Sequence, residues 1–231
     1  MNRPGYRGLP RSLQALLWVV LVLMIALAFY GSLPAAIDGI FHLVNVSPEK
    51  IPWVASRITA VLGYGALAAS TVYGLGMTTH ILDRISRRLV NDTLHESLSF
   101  WGLLLGSSHA LLLLLDTYIG FGWDSILVPF VAPWRPLAVG LGSIALYLLI
   151  LLIVTSKARK FIGLGLWRAI HLLAFVAFAL ITAHGFLAGT ESTLLWAKLM
   201  YVAAAGLVAF FTGIRIVERI RSEEHTSELQ S

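Results

Sequence analysis

Six long apolar stretches constrain this chain more than anything else in it. They run over 13–33, 57–78, 94–115, 137–155, 168–188 and 195–217. Crossing about 30 Å of hydrocarbon takes roughly 20 residues of α-helix. Each stretch approaches or exceeds that length. In lipid the backbone must satisfy its own hydrogen bonds, so each is predicted to be a helix rather than an open strand. Only 13% of the residues are charged and 58% are hydrophobic, against about a quarter and a half in soluble domains. The expected architecture is all-α, a six-helix transmembrane bundle. The first stretch follows the basic segment MNRPGYRGLPR, but it is long for a signal peptide and SLPAAI is a poor cleavage site.

The placement of charge carries topology, not nucleic-acid binding. Arg3, Arg7 and Arg11 precede the first stretch, and Arg84, Arg87 and Arg88 separate the second from the third. Lys157, Arg159, Lys160 and Arg168 separate the fourth from the fifth, and Arg215, Arg219 and Arg221 follow the sixth. Only Lys50, Arg57, Arg135 and Lys198 fall on the other side. The positive-inside rule then puts both termini in the cytoplasm; a bacterial inner membrane is the expected location. The outer loops, roughly 34–56 and 116–136, are rich in Pro, Trp and Phe and suit interfacial caps. Residues 1–220 read as one membrane domain. Residues 221–231, RSEEHTSELQS, resemble the translation of a sequencing-library adapter and are expected to be a non-native tail.

Four histidines stand out against this background. His95 and His109 lie on the third stretch, 14 residues apart, and His171 and His184 lie on the fifth, 13 apart. At 1.5 Å per residue, each pair is separated by about 20 Å along its helix. An imidazole in hydrocarbon needs a partner, and neutral imidazole is a good iron ligand. The third and fifth spans run in the same direction under the charge-derived topology. His95 should therefore face His171 near the cytoplasmic side, and His109 should face His184 near the outer side. The chain has no cysteine, which excludes covalent attachment through a C-x-x-C-H site and cysteine-ligated clusters. Two b-type haems, one per histidine pair, are the expected cofactors. On an ideal helix the 13-residue spacing leaves His171 and His184 about 140° apart. A kink, a π-bulge or a steep crossing would repair the mismatch. His42 and His80 lack spaced partners and read as interfacial.

The arrangement H-x13-H on one span and H-x12-H two spans later resembles the ferric reductase-like transmembrane domain family. HESLSFWGLLLGSSH, WRAIH and HGFLAGT are most similar to its bacterial members, and the likeness covers about residues 57–190. That family includes the membrane part of ferric reductases and NADPH oxidases, and the haem subunit of a periplasmic methionine sulfoxide reductase system. The resemblance implies that His95, His109, His171 and His184 ligate two haems passing electrons outward.

Other residues carry weaker expectations. Phe178 and Trp101 lie between the two histidine levels and either pack between porphyrins or serve as ordinary core or lipid-facing aromatics. Arg168 at the inner end and Arg57 at the outer end suit haem propionates, or simply anchor the topology. Gly63, Gly65, Gly74, Gly76, Gly102 and Gly106 suit close helix packing. Glu96 reads as a solvated helix start.

The expectation is a membrane cytochrome b, a transmembrane oxidoreductase or electron-transfer subunit with no catalytic side chain of its own. GLGLW at 163–167 is too short for a dinucleotide fingerprint. The donor is then quinol, a cytoplasmic flavoprotein, or an FAD/NAD domain outside this sequence. The acceptor is ferric iron or a periplasmic protein. The lipid bilayer is the surrounding partner. The rival readings are a subunit supplying electrons to a periplasmic reductase, a quinol-oxidising cytochrome b whose Pro-Glu-Trp-Tyr motif is absent here, and a haem-free transporter or proton channel.

Overall fold

The computed structural model describes residues 47–78 and 88–228, and among these every regular element is helical. A 3-10 turn at Pro48–Lys50 leads into α1 (Ile51–Thr78). Then come α2 (Arg88–Leu113), the short α3 (Trp123–Leu127), α4 (Pro136–Lys157), α5 (Arg159–Ile162), α6 (Leu164–His171) and α7 (Leu173–Ala188). A second 3-10 turn, Thr190–Thr193, precedes α8 (Leu195–Glu228).

Local chemistry sets several boundaries. Pro136 opens α4 at its first turn, where a missing N–H costs nothing, and Arg135 before it is left-handed with φ 43°. Gly163, at φ 83°, ends α5 in a conformation that favours glycine. The chain then restarts as α6 and breaks again at Leu172. There the Phe175 N–H bonds back to the Leu172 carbonyl at 3.2 Å, a tighter i to i+3 turn inside an otherwise α-helical run.

Four helical stretches are long and apolar enough to cross a membrane: Ile51–Thr78, Pro136–Lys157, Leu164–Ala188 and Leu195–Val217. Their outer faces carry exposed Leu62, Ile150, Val154, Val176 and Val202. Such continuous apolar surface suits lipid rather than water. Helix α2 has the length but not the hydropathy, because Asp92, His95, Glu96, Ser97, Ser99, Ser107, Ser108 and His109 interrupt its leucines. The first apolar stretch, 13–33, lies outside the described residues, as do His42 and His80. Helix α8 runs on through Glu228, beyond the end of the apolar stretch at 217. Once a helix is nucleated, each added residue costs little, and Glu is a good helix former.

Two helical hairpins organise the site. In the first, α1 and α2 lie antiparallel and close, with glycines at the contact. A Cβ on Gly63 would come within 3.1 Å of the Gly106 nitrogen, and one on Gly102 would meet Leu67 at 2.5 Å. The second hairpin pairs α4 with α7. Helix α8 covers α1 and α7 through a core of Tyr64, Ala68, Leu75, Phe178, Ala204, Val208 and Phe211. The backbones of α2 and α7 stay apart, each packed against its own hairpin partner.

Candidate functional site

The four sequence-selected histidines meet across the gap between the two hairpins. The rings of His95 and His171 have centroids 6.2 Å apart with planes at 74°. The rings of His109 and His184 have centroids 6.2 Å apart with planes at 68°. First faces first and second faces second, so α2 runs parallel to α6 and α7. The break at Leu172 falls directly after His171, so the 13-residue interval does not follow one ideal helix.

Neighbouring helices hold three of the rings by Nδ1. His109 Nδ1 is 2.9 Å from the Ser56 carbonyl and 2.8 Å from Ser56 Oγ. His95 Nδ1 is 3.0 Å from both the Ser70 carbonyl and Ser70 Oγ. His184 Nδ1 is 2.8 Å from the Ala138 carbonyl. A carbonyl only accepts, so each of these Nδ1 atoms carries the hydrogen and donates it. Nε2 is then the bare nitrogen, with its lone pair free for a metal. The serine hydroxyls close the bracket by donating to the histidine backbone carbonyls, at 3.2 Å for Ser56 and 3.3 Å for Ser70. His171 differs. Its Nδ1 is buried without a hydrogen-bond partner, and its ring stacks on Trp167 at 5.0 Å and 29°.

Sequence reasoning did not identify Ser56, Ser70, Ala138, Gly142 or Trp167. The serines had a readable signal. They are 14 residues apart on α1, as are His95 and His109 on α2, and in an antiparallel hairpin equal spacings place both pairs in one register. Gly142 leaves room for a ring: a Cβ there would sit 2.6 Å from His184 Nδ1. Gly74 does the same for His95, at 3.0 Å from Cε1.

The remaining candidates are placed less centrally. Phe178 lies in the core against Tyr64, with ring centroids 6.3 Å apart and planes at 25°. Trp101 is 54% exposed beside Phe100, so its ring is not brought to the histidines. Six residues from His95 is about 240° around an α-helix, which turns Trp101 off the histidine face. Arg57 follows Ser56 at the His109 level, is ion-paired with Glu191, and lies over the Trp53 ring at 4.3 Å. Its buried Nε has no hydrogen-bond partner. Arg168 is exposed one turn before His171. Glu96 is exposed and ion-paired with Lys157, which ties α2 to α4 at the His95 end.

No protein-family model, curated protein or solved structure matches this chain. The chemical argument therefore rests on geometry. Among the described residues no three His, Cys, Asp or Glu side chains converge as a metal cage. Each site instead brings two imidazole rings to 6.2 Å, centre to centre. A metal–imidazole bond is about 2 Å and a ring centre lies about 1 Å behind its nitrogen, so two imidazoles flanking one iron have centres about 6 Å apart. Both pairs have that separation. Two imidazoles alone would hold only a metal that brings further donors of its own.

Proposed function

We propose that this chain is a membrane cytochrome b of the ferric reductase-like type, holding two b haems. His95 and His171 hold one, and His109 and His184 the other. The observation that carries the reading is the repeated 6.2 Å spacing of facing imidazoles, in two pairs displaced by about 20 Å along the helices. Three Nδ1–carbonyl bonds support it by leaving Nε2 available in those rings.

The bundle in this reading has six spans, with α2 and the stretch at 13–33 added to the four apolar helices. Both termini lie in the cytoplasm. Exposed Lys157, Arg159, Lys160, Arg168, Arg215 and Arg219 gather at the His95/His171 end, which supports placing that end inside. When bound, the haems supply one-electron redox chemistry; the chain sets their ligands, depth and dielectric. Arg57 is suited to a propionate at the His109/His184 level, with Glu191 as its present counter-ion. Arg168 is suited to the same task at the other level. Electrons enter from the cytoplasmic side, from quinol or a flavoprotein, and leave to an acceptor at the outer face, ferric iron or a periplasmic reductase.

The test is haem content followed by relay. Protein purified with adequate haem supply should give two haems per chain by pyridine haemochrome. In oriented vesicles with an internal donor, an impermeant external acceptor should be reduced, and His109→Ala should stop this while the His95/His171 haem stays reducible. A chain that takes up no haem refutes the reading.

A further inference from the structure

The two sites are not held equally. Within the His109/His184 pair, both Nδ1 atoms are tied to a carbonyl of a neighbouring helix, Ser56 for one and Ala138 for the other. Within the His95/His171 pair only His95 is so tied, to Ser70. His171 Nδ1 is buried and meets no hydrogen-bond partner. A ligating histidine normally donates its second nitrogen to an acceptor, which fixes the ring and makes the ligating nitrogen more basic. His171 lacks that support. Its ring rests on Trp167, whose Nε1 is anchored on Ser156 Oγ at 3.2 Å. Stacking restrains the plane but does not raise the basicity of the ligating nitrogen. The helix is also interrupted at the next residue, Leu172, whereas His184 sits within the continuous α7.

From this asymmetry, and building on the di-haem reading above, we infer that His171 is the exchangeable ligand of the four. The chain holds the first haem firmly through His95 and replaceably through His171, so a small exogenous ligand can take the position that His171 leaves. The other three histidines keep their places. Loss of an outer-sphere partner commonly weakens metal affinity by about 10–100-fold, and the first site should be the weaker by that order.

The experiment uses the full chain in detergent, reduced with dithionite and exposed to carbon monoxide. About half of the haem should shift its Soret band. His95→Ala should remove the reactive half, whereas His109→Ala should remove the inert half and leave the reactive one. Haemin titrated into haem-depleted protein should fill the His109/His184 site first. The inference is overturned if two haems are present and both resist carbon monoxide, if both react, or if the reactive haem is the one lost in His109→Ala. Protein that binds no haem fails at the earlier reading, an outcome distinct from all of these.

Discussion

At the scale of single residues, the site depends on groups that are not ligands. Ser70 is 4% exposed and bonds to His95 through both its hydroxyl and its carbonyl. Ser70→Ala keeps the carbonyl and removes the hydroxyl. About a tenfold weaker haem affinity is expected at the His95/His171 site only, read by haemin titration. Unchanged affinity at that site would show the hydroxyl to be dispensable. Gly142 acts by what it omits. Gly142→Ala places a methyl 2.6 Å from the His184 ring, which must move or force the helices apart. Overpacking of this kind costs about 1–3 kcal/mol. The variant should lose the His109/His184 haem and keep the other, as the haemochrome ratio falling from two towards one would show.

Helices set how the rings face. Hydrogen bonds to α1 fix the rings of His95 and His109, one to α4 fixes His184, and the stack on Trp167 restrains His171. The result is a similar crossing in both pairs, 74° and 68°. If both rings of a pair held one iron with their planes still crossed in this way, two of its d orbitals would be almost degenerate and its low-spin signal highly anisotropic. The oxidised, haem-loaded protein should therefore show such signals by electron paramagnetic resonance at low temperature. Ordinary rhombic spectra from both haems would mean that the rings turn on loading. The break between α6 and α7 is the element-level answer to the 13-residue spacing. A single ideal helix would point His171 and His184 about 140° apart, whereas the interrupted one brings both to α2.

For the whole molecule, the question is sidedness. The absence of cysteine makes the chain a clean background for labelling. Lys160 lies between α4 and α6 at the basic end, and Tyr118, 93% exposed, lies in the loop after α2 at the other. In intact cells an impermeant maleimide should label Tyr118→Cys, and Lys160→Cys only after permeabilisation. The reverse pattern would place the His95/His171 pair at the outer face and invert the proposed electron path.

The sequence by itself determined the helical class, the apolar stretches and the four histidines worth watching, because hydropathy and residue spacing are local properties that survive without a partner. Nearly equal spacings, 14 and 13 residues, and a common direction were enough to match His95 with His171 and His109 with His184. Tertiary structure alone decided what sits behind each ring. Ser56, Ser70 and Ala138 reach the histidines from other helices, and the 14-residue spacing of the two serines acquires its meaning only once α1 pairs with α2. The pairing of Arg57 with Glu191, the exposure of Trp101 and the unpartnered nitrogen of His171 likewise depend on which helices lie together. A helix's sequence shows which residues share its face, but the groups opposite that face are fixed only when the hairpins pack.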